Sequence, residues 1–301
     1  RSPAGNQPPR LTPFASTRTK YGNAVLRPIA QCLAANEITE IFGILNGTTN
    51  YILNKMIVEN MDFNSALALA QEKGFAEKNP AADIEGHDAC RKICILAALA
   101  FGKHVYPEQV KTEGITDITL DDVEYADSFG CTVKLIGHAQ KLENGKITAT
   151  VRPTLVSREC ILSGVNGVFN AITVRGDKTG DVMFYGKGAG KEATASAVVA
   201  DMIDCVKHLD TRKYVFWEDG SADYVDNSCD EPTRLFVLLR GDDFDSLVSE
   251  VESAFPGVSC VKNKFKNEIA FLTDSEKPSV TLEKLSGFKN IKSRKILNTM
   301  I

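Results

Sequence analysis

Apolar and polar positions recur with two different periods along the chain. Apolar residues three and four positions apart predict helices over residues 24–35, 46–59, 63–72, 85–101, 123–139 and 194–208. Strand-like runs, several of them alternating with period two, are predicted over residues 38–45, 147–156, 169–174 and 181–185. Strands that cluster after helices are typical of an α+β fold.

The last quarter of the chain has its own succession of elements. Strands are predicted over residues 235–239, 258–265, 268–273 and 291–297, and helices over 245–255 and 280–288. In the first of these helices Leu247, Val251 and Phe255 recur every four residues and share one face. The order βαββαβ predicts a ferredoxin-like sandwich.

Composition shifts mark the expected domain boundaries. Residues 1–22 hold four of the 11 prolines and no periodic apolar pattern, which indicates a disordered leader, a cloning remnant or a truncation edge. A polar, turn-rich stretch at 223–232 is a candidate linker. We therefore expect one domain over residues 23–225 and a second over 226–301.

Composition excludes several classes of protein and partner. Of the 301 residues, 43% are hydrophobic and 25% charged, which excludes a disordered, collagen-like or coiled-coil chain. The formal net charge of -4 gives no argument for nucleic acid or an anionic membrane as a partner. The longest nearly uncharged apolar run, 93–101, is half a membrane span. Eight cysteines without a CxxC pair predict reduced thiols in a cytoplasmic protein and no metal site.

The densest cluster of polar residues lies between Gly74 and Lys92, where a Gly/Pro loop leads into a helix. Asp83 stands where an N-cap belongs, and Asp88 and Lys92 are four apart on one helix face. A helix cap with a surface ion pair is one interpretation. The other is functional: Lys92 could hold or deliver a proton at a carbonyl oxygen, while Glu77 and Asp83 bind a substrate ammonium group.

A second cluster covers residues 43–50, where a strand, a glycine turn and a helix N-terminus follow one another. Free amides around Asn46, Gly47 and Thr48 would attract a carboxylate or phosphate. Plain capping of the helix by a threonine is the competing interpretation.

A third cluster, Gly186-Lys-Gly188-Ala189-Gly190, lies between a predicted strand and a predicted helix. It is not a GxGxxG motif, so it is weak evidence for a dinucleotide site. From the residues alone, close backbone packing is favoured.

Together the three clusters resemble the homoserine dehydrogenase family. The first, A-x3-GFAE-x-NP-x2-DI-x-G-x-D-x3-K over residues 70–92, is similar to the family signature without a break. LNGTTNYIL at 45–53 is similar to its substrate-side turn, and YGKGAG at 185–190 with TASAVVAD at 194–201 to its glycine-rich turn and the helix after it. The likeness runs from about residue 21 to about residue 209.

The resemblance implies a mixed sheet covered by helices and a reaction, the reduction of aspartate β-semialdehyde to homoserine with NADPH or NADH. That step belongs to the route to threonine, methionine and isoleucine, and the family is usually dimeric through its catalytic sheet. The implied roles are proton transfer at the reacting oxygen for Lys92 with Asp88 beside it, amino-group binding for Glu77 and Asp83, binding of polar groups at Asn46, Gly47 and Thr48, and a nicotinamide lining of Gly186, Gly188, Ala189 and Gly190. The C-terminal unit resembles an amino-acid-sensing ACT domain, in pattern more than in motif.

One departure leaves three hypotheses open. The family begins with a Rossmann domain, which residues 1–22 cannot contain. The chain is then the catalytic and ACT-like part of a homoserine dehydrogenase, a regulatory subunit that dimerises and senses an amino acid, or one half of a split enzyme. A nucleotide-binding domain supplied in trans would cover Val198, Val199 and Met202, which should otherwise be exposed.

Overall fold

The computed structural model describes residues 22–188, 190–209, 217–228 and 230–300. The predicted leader and Ala189 therefore lie outside the described residues, apart from Gly22. The helices are α1 (Gly22–Gln31), α2 (Gly47–Glu59), α3 (Phe63–Glu72), α4 (Ala81–Ile84), α5 (His87–Phe101), α6 (Leu120–Ser128), α7 (Lys191–Lys207), α8 (Phe244–Ala254) and α9 (Pro278–Ser286). The strands are β1 (Ile38–Ile44), β2 (Lys111–Thr112), β3 (Cys131–Lys141), β4 (Ile147–Ser157), β5 (Phe169–Gly176), β6 (Gly180–Lys187), β7 (Leu235–Gly241), β8 (Cys260–Asn263), β9 (Glu268–Leu272) and β10 (Ile291–Met300).

These strands form one mixed sheet in the order β6-β5-β1-β3-β4-β10-β7-β9-β8, with β2 also on β4. Strand β4 pairs antiparallel with β3 along its length. Its other edge carries two parallel partners, β2 at Thr150 and Val151 and then β10 at residues 154–156. The C-terminal strands therefore extend the sheet formed by the preceding strands, and the α+β expectation with a mixed sheet is confirmed.

The helix predicted over residues 123–139 is wrong. Helix α6 ends at Ser128, Gly130 takes a positive φ of 67°, and strand β3 begins at Cys131. A left-handed residue is the usual way for a helix to stop. Most of β3 is buried on both faces, so its apolar residues form a near-continuous run without a clean period of two. The hydrophobicity pattern of that run was therefore mistaken for that of a helix.

The main core lies on one face of the sheet, under helices α1 to α6. Helix α5 begins with charged residues and ends in an apolar half whose Ile93, Leu96 and Ala97 are buried. The helix therefore carries its polar first turns to the rim of the core while its second half anchors it.

The opposite face of the sheet has a small core of its own, which includes Phe42, Ile44, Ile136 and Val156. Among the described residues, strands and the 3-10 segment Ile161–Gly164 with its flanking residues Cys160 and Val165 contribute to it; no α-helix does. Tyr185, on β6 beside this face, is 56% exposed.

The C-terminal elements follow the order β7-α8-β8-β9-α9-β10 and bury their own cluster around Val251 and Phe271. Polar contacts join them to α6, and two of these contacts are made by buried carboxylates. Tyr125 donates a hydrogen bond to Glu268 of β9 at 2.8 Å, and Lys295 of β10 pairs with the fully buried Asp122. The two parts of the chain are thus joined by both strand pairing and buried polar contacts.

Helix α7 contains no buried residue. Val199, Met202, Ile203 and Val206 are each at least half exposed, on a helix whose packing within the described residues is mainly against α1. No helix of the described part of the chain is long and apolar enough to cross a bilayer.

Candidate active site

Asn46 connects the two sequence clusters of the predicted substrate site. It follows β1 and is the N-cap of α2, because its Oδ1 accepts a hydrogen bond from the amide of Thr49 at 2.9 Å. Its Nδ2 donates to Asp83 at 2.7 Å and to Asp88 at 2.8 Å. A single side-chain amide thus caps one helix and bridges two carboxylates, so the cap is this asparagine and not a threonine.

Asp83 is not the N-cap of α5. It lies in the single turn α4, and α5 is preceded by Gly86, which caps it without a side-chain hydrogen bond. Burial raises the pKa of the Asp83 carboxyl, and the nearby Asp88 raises it further, while the hydrogen bond from Asn46 and the charge of Lys92 act in the opposite sense. Because Asp83 does not cap α5, its contact with Asn46 is fixed by tertiary packing and not by a local cap.

Lys92 and Asp88 form an ion pair one turn apart on α5, with Nζ 2.6 Å from Oδ2. The ammonium also donates to the carbonyl oxygen of Leu45 at 2.8 Å. The Lys92 side chain is 12% exposed, so its position is well fixed. Two of its three N–H donors are used by described residues, which leaves one for an oxygen atom of a substrate.

Gly47 and Thr48 line the same corner in different ways. A Cβ on Gly47 would lie 2.8 Å from the carbonyl oxygen of Val168, so only glycine fits there. The Thr48 hydroxyl donates to the carbonyl oxygen of Phe75 at 2.8 Å, which fixes the loop after α3 against α2.

Glu77 is exposed on the loop after α3. Its described hydrogen bond is at the backbone, where its carbonyl oxygen accepts from Gln71 at 3.0 Å. No described hydrogen bond or ion pair brings its carboxylate to Asp83, Asp88 or Lys92. The structure thus brings together Asn46, Asp83, Asp88 and Lys92, as it does Gly47 and Thr48, but not Glu77.

The glycine-rich turn begins in the last two residues of β6, and segment 165–170 connects it to the substrate corner. Gly186 pairs with Asn170 of β5, whose Oδ1 would be 3.3 Å from a Cβ on Gly47. A Cβ on Gly186 or Gly190 would meet nothing within 4 Å, so this backbone has open space for a flat ring. Gly188 is buried, and Ala189 lies outside the described residues.

Sequence reasoning missed Asn50 and Lys134. Both are 1% exposed, and the Lys134 ammonium donates to Asn50 Oδ1 at 3.3 Å. The sequence did contain a signal for Lys134. Lysines are usually exposed to solvent, so a lysine within the apolar run of β3 indicates a buried side chain with a specific role. The mistaken helix over that run obscured it.

The sequence and the fold are both similar to those of known proteins. The sequence profile described as homoserine dehydrogenase matches residues 25–203, more than half of the chain. The chain belongs to the homoserine dehydrogenase family. A homoserine dehydrogenase of Synechocystis sp. is 47% identical over 189 residues, which cover 62% of this chain and 43% of the relative. The chain thus spans less than half the length of that homoserine dehydrogenase.

Solved homoserine dehydrogenases share the fold. A crystal structure from Thiobacillus denitrificans superposes with a TM-score of 0.79 at 31% identity, covering 95% of this chain and 69% of that one. A hyperthermophilic archaeal homoserine dehydrogenase mutant in complex with NADPH superposes with a TM-score of 0.54 at 29% identity, covering 65% of this chain and 56% of that one.

Proposed function

We propose that this chain carries the substrate-binding and proton-transfer part of an NAD(P)-dependent homoserine dehydrogenase, which interconverts aspartate β-semialdehyde and homoserine. The observation that carries the proposal is the fixed group of Lys92, Asp88, Asp83 and Asn46 at the N-terminus of α2. Two carboxylates and one ammonium suit a substrate that has both a cationic amino group and a reacting oxygen.

The residues divide the work by charge. Asp83 accepts the substrate ammonium group, and the exposed Glu77 is available to it from the solvent side. The α2 N-terminus at Gly47 and Thr48 binds the substrate carboxylate through free amides. The substrate is then held at both charged ends, so its reacting carbon has one orientation.

Lys92 acts at the reacting oxygen. When the aldehyde is reduced, negative charge develops on that oxygen, and the third N–H of the Lys92 ammonium stabilises and protonates it. In the reverse direction the neutral amine takes the proton back from the hydroxyl. Asp88 holds the amine in place through both directions and stabilises its charged form.

The backbone of Gly186, Gly188, Ala189 and Gly190 would hold the nicotinamide end of NADP or NAD, whose bound ring supplies the hydride. Gly186 is paired to Asn170, so the turn is anchored to the sheet beside the substrate corner.

The remaining cofactor contacts belong to a nucleotide-binding domain outside the described residues, attached to this chain or supplied in trans. The exposed apolar residues of α7 support this partner, because a helix with Val199, Met202 and Val206 half exposed or more normally has something to cover it. The length of the Synechocystis relative is consistent with such a domain, since more than half of that protein lies outside the matched part.

We propose a homodimer, formed by the helix-free face of the sheet on a second copy of itself. The apolar strand residues there, with Tyr185 exposed beside them, suit a self-complementary face-to-face contact. A cytoplasmic location is supported by the free thiols of all seven described cysteines.

The C-terminal βαββαβ unit is proposed as an ACT-like domain, with bounds 226–301 after a catalytic domain over 23–225. Its element order and separate core support this. The same unit supports a second candidate function, that of a regulatory subunit that dimerises and binds an amino acid. The pathway role, in threonine and methionine biosynthesis, follows from the substrate.

The test follows absorbance at the nicotinamide band with purified chain, L-homoserine and NADP or NAD, before and after a family nucleotide-binding domain is added. Turnover that appears on addition and is lost in Lys92→Ala supports the proposal. Binding of an amino acid by a chain that gives no turnover in either mixture favours the regulatory subunit instead.

A further inference from the structure

Lys134 is among the largest fully buried side chains of the described residues. Its ammonium donates to the carbonyl oxygen of Val165 at 2.7 Å and to the side-chain oxygens of Asn166 and Asn50 at 3.2 and 3.3 Å. All three acceptors are neutral, and no described carboxylate pairs with it. Burial lowers its pKa to about 8. An apolar side chain of similar volume would fill this place at a lower free energy of burial, so stability alone does not account for the lysine.

Asn50 completes the arrangement from helix α2. Its Nδ2 lies within hydrogen-bond distance of three carbonyl oxygens, those of Val165 at 3.0 Å, Gly167 at 3.1 Å and Phe169 at 3.0 Å. Because Lys134 donates to the Oδ1 of this amide, the amide can only present its N–H groups to the segment. Lys134 and Asn50 therefore act together as a clamp on residues 165–169.

The clamped segment contacts both parts of the proposed active site. On one side, the Val168 carbonyl and Asn170 lie against Gly47, in the corner assigned to the substrate carboxylate. On the other, Phe169 and Asn170 pair with Lys187 and Gly186 at the start of the glycine-rich turn. The ring of Phe169 also stacks on Tyr185 with centroids 5.0 Å apart. The clamp thus fixes where the glycine-rich turn lies relative to the substrate corner.

We propose that Lys134 is a positioning residue for hydride transfer, which sets the distance between substrate and nicotinamide by clamping residues 165–169; this rests on the proposed dehydrogenase function. Lys134 touches neither substrate nor cofactor. Its loss leaves each binding corner intact but lets the two move relative to each other.

The test compares Lys134→Met with Lys141→Met in the full chain supplied with a family nucleotide-binding domain. Lys141 lies on the same strand and pairs with the exposed Glu37. For Lys134→Met we expect kcat for homoserine oxidation to fall about 10- to 100-fold. The KM values for homoserine and NADP each change by less than about threefold, since each corner still binds. The isotope effect with homoserine deuterated at the reacting carbon rises, because hydride transfer becomes slower. Lys141→Met leaves all of these unchanged.

Amide hydrogen exchange provides a readout that does not depend on turnover. Lys134→Met should speed exchange over residues 165–170 and 186–188, and Lys141→Met should not. If Lys134→Met fails to fold, Asn166→Ala replaces it, because this exposed residue supplies one acceptor of the clamp. Asn166→Ala should then lower kcat without changing KM.

Two results would overturn the inference while leaving the proposed function in place. One is wild-type turnover with an unchanged kcat in Lys134→Met, and the other is a higher KM with kcat intact. A wild-type mixture that gives no turnover contradicts the proposed function itself, and the positioning role with it.

Discussion

The Nζ atom of Lys92 lies 2.6 Å from Oδ2 of Asp88, the same oxygen that accepts a hydrogen bond from Asn46. One carboxylate oxygen thus connects the proposed proton-transferring group to the cap of the substrate-binding helix. A movement of α2 relative to α5 would therefore change the position of the Lys92 ammonium group. These contacts join the motif at 45–53 to the motif at 70–92, although the two lie apart in the sequence.

Lys92→Ala should remove turnover and largely preserve substrate binding. The variant loses the proton donor at the developing alkoxide, so kcat should fall by at least about 10³-fold. Binding of L-homoserine, measured by titration calorimetry, should weaken far less, because Asp83 and the α2 N-terminus remain. Arg91→Ala is the matched control, one residue away on the same helix and exposed. An equal loss in both variants would mean that the helix, and not the lysine, is responsible.

Asn46→Ser should shift the acid limb of homoserine binding to higher pH. Serine still caps a helix, but the hydrogen bonds to Asp83 and Asp88 are lost, so the free energy of unfolding should fall by about 1–3 kcal/mol. The amide that lowers the pKa of Asp83 is lost, and burial and Asp88 then raise that pKa further. Protonation of Asp83, which abolishes its attraction for the ammonium group, therefore begins at a higher pH as the solution is acidified.

A control separates this effect from capping in general. Asp62→Ala removes the side-chain cap of the neighbouring helix α3, where Asp62 accepts from the amide of Ser65. It should cost about 1 kcal/mol of stability without moving the pH profile. Identical pH profiles for Asn46→Ser and the wild type would contradict the assigned role of Asn46.

The apolar surface of α7 should be needed for association and not for folding. Val199→Glu with Met202→Glu adds charge at positions that are 51% and 62% exposed, so the melting temperature should stay within about 2 °C of the wild type. Recovery of turnover by an added nucleotide-binding domain should fall about tenfold or more. Ser196→Glu places one such negative charge on an exposed polar position of the helix. If it impairs recovery as much as the double variant, charge and not the apolar surface decides.

Asp122→Ala should destabilise the whole chain. Asp122 is fully buried, accepts from the amide of Thr119 at 2.8 Å and pairs with Lys295 of β10. Its loss should lower the free energy of unfolding by about 2–4 kcal/mol in denaturant titration. Asp121→Ala breaks a half-exposed pair with Lys266 next to it and should cost less than about 1 kcal/mol. Because the sheet is continuous, we expect a single unfolding transition in both variants.

Sequence could place those parts of the site that local geometry decides. A helix puts residues four apart on one face, so the contact between Asp88 and Lys92 was predictable from spacing. The glycine turn before α2 was predictable from residue types. The bridge from Asn46 to two carboxylates was not, because it depends on how closely the end of β1 approaches α5, which only the packed core determines.

The fold shows the same division. Amphipathic elements were located to within a few residues, as in the C-terminal succession from β7 to β10. The error over 123–139 arose where burial on both sides removed the period that distinguishes strand from helix. Lys134 lies in that segment, so its role could not be inferred before the strand was known. The pairing of β10 with β4 had no local signal at all.

The parallel pairing of β10 with β4 has a consequence for the order in which the chain is made. Residues 154–156 leave the ribosome long before residues 298–300, their partners. During synthesis this stretch of β4 carries unpaired backbone groups beside a finished hairpin with β3, and other chains could add to it. The newly made protein therefore passes through a stage with an open strand edge, which closes only when β10 arrives.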